Sequence, residues 1–288
     1  MKQNNKFRIA VPNKGRLYQP TIDLLRNIGL EFDLDERKLS SLVSNFDLEI
    51  LYASAPNIPE YVQDGIVDLG ITGYDLVCER EAEVSLLRKL HFGHTDLVIA
   101  VPEQSNIKKV GDLNGKKIAT SFAHLTKKYL AKNKVKAEII EVKGAVEITP
   151  ELGLADAIAD LSSSGSSLKM NRLKVLETVL ESEAVLIGNK ESLEKERDKI
   201  DTISIRIESV LTANQKKYLM MNAREELLPE IKKIAPGLSA PTIMKLSKKG
   251  MIAVHSVVDA KDIWRIIEKL KKIGATGILT VPIDQMIY

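Results

Sequence analysis

The stretch Leu154-Ala155-Asp156-Ala157-Ile158-Ala159-Asp160-Leu161-Ser162-Ser163-Ser164-Gly165-Ser166-Ser167-Leu168 decides how the rest of the chain reads. Small and apolar residues with two interior carboxylates give way to a run of serines broken only by Gly165. That is the pattern of a buried strand ending in a tight loop that opens a helix. Backbone N–H groups of such a loop converge on one point. The hydroxyls of Ser163, Ser164, Ser166 and Ser167 add donors around it, as a phosphate monoester at a helix start requires. Asp156 and Asp160, read as lying at the end of the strand, repel phosphate but suit the hydroxyls of a sugar that carries it. A flexible serine-rich turn is the plain alternative. The acidic run in front weighs against it, because a linker has no use for two aspartates among apolar residues.

The same plan occurs upstream. Gly65-Ile66-Val67-Asp68-Leu69-Gly70-Ile71-Thr72-Gly73 has a helix-ending glycine, an aspartate three residues on, an apolar strand and a glycine-containing loop. Gly153 to Asp160 repeats this about ninety residues later, too long a period for a solenoid and suited to two lobes built alike. Ligands of parallel α/β sheets collect at the carboxyl ends of the strands, so two such lobes facing one another make a cleft. Between them, Leu97–Pro102 reads as a strand crossing to the second lobe, Gly115–Ser121 as a strand with Ser121 or a nearby residue capping the following helix, and Val175–Leu180 and Glu183–Ile187 as strands leading back. The charged run from Asn189 to Lys199 marks a boundary. After it Ile200, Ile203, Ile207, Val210 and Leu211 keep helical spacing, although Ile203, Ile205 and Ile207 also alternate as in a strand. From Lys217 onward the order is βαββαβ, the ferredoxin-like plan. The expected fold is α/β: two similar lobes with a cleft, as in type II periplasmic binding proteins, with residues 1–101 and 184–210 in the first and 102–183 in the second. A ferredoxin-like regulatory domain spans 211–288.

Near the amino terminus, the strand Phe7–Pro12 runs into Asn13-Lys14-Gly15-Arg16 and a helical pattern. Lys14 and Arg16 are placed to face phosphates, with a solvated basic turn as the competing reading. Composition narrows the function further. Lys and Arg number 42 against 39 Asp and Glu, scattered rather than striped, which argues for neither nucleic acid nor a membrane surface as partner. Cys78 is the one cysteine, so no internal disulfide forms, and the chain suits a reducing, cytoplasmic setting. Met1–Lys6 is polar with no apolar segment behind it, and no run approaches the ~20 apolar residues of a membrane span. Of the histidines, His91 and His94 could share a helix face, but no Cys or carboxylate partner stands at ligand spacing, so no metal site is assigned. Cys78, in a helical run, reads as a buried thiol. No nucleophile elbow, Walker A or Gly-x-Gly-x-x-Gly motif occurs. The site positions phosphorylated substrates and supplies no covalent catalyst.

These residues resemble the ATP phosphoribosyltransferase family in its long form. The resemblance rests on Arg8–Pro12 with Lys14–Leu17, Asp64–Gly73, Lys117–Ser121, Val146–Pro150 and, most specifically, Gly153–Leu168. It implies Mg²⁺-dependent transfer in which N1 of ATP attacks C1 of 5-phosphoribosyl 1-pyrophosphate, the first step of histidine biosynthesis. It further implies that Ser162, Ser163, Ser164, Gly165, Ser166 and Ser167 clasp the 5-phosphate, that Asp156 and Asp160 flank the ribose, and that Lys14 and Arg16 act as catalytic cations on the polyphosphate. The tail resembles the family's histidine-binding domain, with Asn222 and Thr242 at the inhibitor, and a dimer–hexamer equilibrium. The chain departs from the family's common pattern at Tyr52 and Ser54, where an arginine is usual, at Asn57-Ile58-Pro59 in place of Asp-Ile-Pro, at Asp96 in place of an arginine, and at Phe122-Ala123 in place of Tyr-Pro. The competing class is a two-lobed, non-catalytic binding or sensing protein.

Overall fold

In the computed structural model, which describes residues 6–34 and 38–287, strand β1 (Arg8–Pro12) is buried from Ile9 onward, as a central parallel strand covered on both faces must be. The polar opening Met1–Asn5 lies outside the described residues. After β1 come α1 (Tyr18–Asn27), β2 (Ser40–Leu42), β3 (Glu49–Ala53), α2 (Ile58–Gln63), β4 (Leu69–Gly73), α3 (Tyr74–Glu79) and β5 (Ser85–Lys89). Then β6 (Thr95–Pro102) leaves for a second sheet, with β7 (Lys117–Thr120), α4 (Ala123–Lys132), β8 (Glu138–Glu141), β9 (Ala157–Ser162), α5 (Ser166–Met170) and β10 (Leu173–Ser182). β11 (Ala184–Gly188) returns to the first sheet, and α6 (Ser192–Lys195) and α7 (Arg197–Asn214) follow.

The sheets run β2-β3-β1-β4-β11-β5 and β10-β6-β9-β7-β8. In each, the earliest of three parallel strands is central: β1 between β3 and β4, β7 between β8 and β9. In each, the next strand is antiparallel and is reached through a crossover between the lobes, β11 beside β4 and β6 beside β9. The lobes are therefore built alike. The repeat also has a local meaning. Gly65 and Gly153 adopt φ of +68° and +70°, which glycine reaches without strain. Three residues on, Asp68 accepts the Arg8 N–H at 2.8 Å and its own N–H reaches Arg8 O at 3.0 Å. Asp156 does the same with Lys117, at 2.9 and 2.8 Å. Each aspartate thus pins the first residue of its lobe's central strand.

Packing follows from the buried strands. In the first lobe Ile58 and Val62 of α2 and Ile187 of β11 close over β4, and a Cβ on Gly70 would stand 2.6 Å from Ile58, so the helix lies directly on the strand. In the second, Ile99, Val101, Leu130 and Ala159 form one side of the core, Val98, Ile158 and Leu168 the other. A fully buried Ile or Leu contributes roughly 1.5–3 kcal/mol. The edge strands β2 and β5 carry little sequence signal, one being short and the other ending on Arg88 and Lys89.

Close packing divides the chain into residues 1–23 with 30–200, and 24–29 with 201–288. α7 is helical throughout: Ile203 and Ile207 are fully buried while Ile205 between them is 53% exposed, which excludes the alternating strand reading. In the second unit β12 (Lys216–Arg224), α8 (Leu228–Ile234), β13 (Thr242–Lys245), β14 (Met251–Asp259), α9 (Ile263–Lys272) and β15 (Thr276–Pro282) form a sheet ordered β13-β14-β12-β15. This is the ferredoxin-like arrangement. Leu219, Met221 and Ala223 face Ile231, Ile266 and Leu270 in its core, and the intervening Tyr218, Met220 and Asn222 face away.

Candidate active site

The serine loop sits where β9 ends. Ser162 closes the strand, Gly165 takes φ +71°, and α5 begins at Ser166. The hydroxyls of Ser164 and Ser166 lie 2.8 Å apart, and Ser163, Ser164, Ser166 and Ser167 are all exposed. Leu168 anchors the loop from below, buried against Ile158 and Val98. Ser162 stands opposite Asp96 in the sheet, and Asp96 follows Thr95, the first residue of β6. The loop therefore lies at the crossover end of its lobe.

Arg16 reaches the same end from the first lobe. Its guanidinium donates to Gly93 O, between β5 and β6, and to Asp75 Oδ1 at 3.5 Å. Asp75 is only 1% exposed, and its carboxylate also accepts the hydroxyl of Ser182, the last residue of β10. Its second oxygen has no hydrogen-bond partner among the described residues. Ser182 is paired with Thr95 across the sheet, and Asp96 with Ser162, so Arg16 is tied to a strand two strand spacings, about 10 Å, from the serine loop. Gly73 makes this possible: a Cβ there would lie 2.4 Å from the Asp75 carboxylate. Lys14 is exposed on the same β1–α1 loop.

Asp160, on β9, is half-buried. Burial raises its carboxyl pKa, opposed by the Leu161 N–H that it accepts at 2.8 Å, and the charge of Glu147 raises it further. Asp156 is a correction to the sequence reading. It precedes β9, at the opposite end of the strand from the serines, with Oδ2 on the Lys117 N–H and Oδ1 3.6 Å from Lys116 Nζ. The strand itself separates the two by ~20 Å, so Asp156 is a strand clamp and does not reach the loop.

Other expectations also shift. Ser121 does not cap α4; its hydroxyl donates to Val142 O at 2.7 Å. The Glu79 carboxylate, from α3 of the first lobe, accepts the N–H groups of His124 and Leu125, each at 2.9 Å. Lys128 also pairs with Glu81 at 3.4 Å, and His124 Nε2 lies 2.9 Å from the same carboxylate, so further contacts join the lobes beside Glu79. Sequence reading misses Asp75, Glu79 and Ser182 because their partners are 59, 45 and 107 residues away. His91 and His94 are in a turn, not on a helix; His91 has φ +59° and lies 3.3 Å from Glu183. Cys78 is only half-buried, in contact with Tyr74, and burial pushes its thiol pKa up. Tyr52 gives its hydroxyl to Ser41 at 3.2 Å. Asn222 and Thr242 are both exposed. They fall on the open face of the second unit's sheet through the register Asn222–Ala253–Met244 and Thr242–His255. No helix among the described residues is long and apolar enough to cross a membrane.

Paired α/β lobes joined by two crossovers, with loops and cations at the crossover end, define a two-lobed protein of the type II periplasmic-binding-protein plan, extended by a ferredoxin-like module. A family profile described as ATP phosphoribosyltransferase matches residues 54–209, and one described as HisG, C-terminal domain, matches 213–285. The chain belongs to the ATP phosphoribosyltransferase family, in its long form. It is 49% identical over 287 residues to the ATP phosphoribosyltransferase of Methanosarcina barkeri, covering 97% of this chain and 99% of that protein. The enzyme of Methanocaldococcus jannaschii is 44% identical over 284 residues, with 96% and 99% covered. Among solved structures, the ATP phosphoribosyl transferase (HisG:HisZ) complex from Thermotoga maritima superposes with a TM-score of 0.62 at 25% identity, covering 70% of this chain and 96% of that one.

Proposed function

We propose that the cleft condenses ATP with 5-phosphoribosyl 1-pyrophosphate, giving N1-(5-phosphoribosyl)-ATP and pyrophosphate, the first step of histidine biosynthesis. The observation that carries this reading is the meeting of the serine loop and the Arg16–Asp75 pair at one crossover end. Ser162 to Ser167, with the backbone around Gly165, take the 5-phosphate, and Asp160 takes the ribose hydroxyls. Asp156 has no part in it. A lone pair on adenine N1 forms the bond to C1 while the C1–O bond breaks and its electrons leave with pyrophosphate. Positive charge grows on the ring at C1 and negative charge on the departing group. Alignment and cations near that group are what the protein contributes, and Lys14 and Arg16 supply them. Asp75 holds Arg16 against the crossover, which removes the entropy of placing a long side chain. Mg²⁺ would neutralise the polyphosphate. Among the described residues no three His, Cys, Asp or Glu are grouped to hold a metal, so the donor set fits an ion carried by substrate oxygens and water.

Histidine is proposed as the feedback inhibitor, bound on the open face of the second unit's sheet at Asn222 and Thr242, in a homo-oligomer that exchanges between dimer and hexamer. A cytoplasmic setting belongs to the same reading, supported by the single, half-buried thiol. Incubation with ATP, phosphoribosyl pyrophosphate and Mg²⁺ tests the activity: phosphoribosyl-ATP is expected to accumulate by absorbance. Failure to form it beside an active control would refute the assignment. The non-catalytic alternative is not favoured, given relatives that are named transferases over nearly their full length.

A further inference from the structure

We propose that a cavity in the C-terminal unit, between the end of α8 and the first turns of α9, binds a small dianionic phosphate ester. The cavity measures about 510 Å³, and neither Asn222 nor Thr242 lines it. That volume is in the range of small-molecule sites. Its lining carries four cations, Lys216, Lys233, Arg265 and Lys269, against two carboxylates, Asp259 and Asp262. Lys216 pairs with Asp259 at 2.8 Å and Arg265 with Asp262 at 3.0 Å. Lys233 and Lys269 have no ion-pair partner among the described residues, which leaves a surplus of two positive charges. A phosphate monoester carries about −1.5 to −2 at neutral pH, so its charge matches the surplus.

The walls are set before a ligand arrives. Arg265, Ile266 and Lys269 recur at helical spacing on one face of α9, and with Asp262, which precedes the helix, they form one side. Opposite, the buried Ser256 hydroxyl donates to Ala235 O at 3.0 Å and fixes the chain as it leaves α8. Gly237 then turns with φ +76°, where a Cβ would come within 3.0 Å of Ala240 O. Ile234, Val258 and Ile266 supply an apolar floor. A charged head between the two free lysines and an uncharged ring or chain on the floor satisfy both halves of the site, which bare inorganic phosphate does not. Lysine suits the head because its ammonium acts as a point charge on phosphate without demanding bidentate geometry.

The test uses the full chain and phenyl phosphate, a dianion with an apolar ring, followed by hydrogen exchange resolved along the sequence. Amides in residues 233–238 and 257–266 are expected to slow several-fold with phenyl phosphate, less with inorganic phosphate and not at all with phenol. The K233Q/K269Q variant is expected to lose at least tenfold in affinity with turnover unchanged, since both lysines are exposed and remote in sequence from the serine loop; K233R/K269R is expected to keep binding. Protection confined to the serine loop, or equal protection in the wild type and K233Q/K269Q, would overturn the site.

Discussion

Gly165 and Asp160 face opposite demands within six residues of chain. The left-handed backbone at Gly165 costs a residue with a side chain ~1–2 kcal/mol, more when it is β-branched, yet open space surrounds the position where a Cβ would sit. Gly165→Val is therefore expected to act by reshaping the loop, not by collision. Calorimetry should show affinity for phosphoribosyl pyrophosphate falling at least tenfold, and unchanged affinity would contradict the loop assignment. At Asp160 the raised pKa means that the folded chain holds the proton more tightly than the unfolded chain. The ionised carboxylate then costs stability at neutral pH, and the cost fades as pH falls through the folded pKa. Asp160→Asn keeps the acceptor for the Leu161 N–H and should raise Tm at pH 7 by roughly 2 °C, with the gain shrinking in acid, while donor binding weakens. Asp75→Asn removes the charge opposite Arg16 but retains a partner for Ser182. A fall in kcat/KM of about tenfold is expected, equivalent to ~1.4 kcal/mol, with Tm little changed.

Among elements, α3 and α4 show how one residue type serves two purposes. α4 begins at Ala123 without a side-chain cap of its own, because Ser121 is committed to Val142. Two of its orphan N–H groups, those of His124 and Leu125, are satisfied by Glu79 from the other lobe, and the carboxylate also meets the positive end of the helix. Contact between the lobes thus completes a helix start. Glu79→Ala should destabilise the chain by about 1 kcal/mol, read as a lower urea midpoint. Small-angle scattering should show a more expanded first unit in solution; an unchanged profile would deny the clasp. The repeated Gly-x-x-Asp of the two lobes acts at the same level: Asp68 and Asp156 each tie a strand start to its neighbour, a task that needs proximity to a backbone N–H and no ligand.

At the scale of the whole chain, the first unit carries the proposed chemistry and the second the proposed control. The second has a core of its own, in which Leu219, Val254, Ile231 and Leu270 are fully buried. Truncation after Asn214 is expected to abolish inhibition by histidine, measured as product formation at rising histidine concentrations; inhibition that persists would move the effector site out of this unit.

The sequence by itself determined the class of each element where periodicity was strong: the serine loop between β9 and α5, the central strands of both lobes, and the βαββαβ order of the tail. Those signals are local, since a strand's or helix's apolar pattern is written in consecutive residues. The tertiary structure decided which side chains meet. Two carboxylates four residues apart are equivalent in sequence, but a β-strand extends about 3.3 Å per residue and separates Asp156 and Asp160, one holding the first residue of β7 and the other lying within β9 two residues before Ser162. Asp75, Ser182 and Arg16 come together only because two chain crossings bring the ends of β4, β6 and β10 to one place. Contacts of that kind depend on strand register across the two lobes, which no stretch of the sequence records on its own.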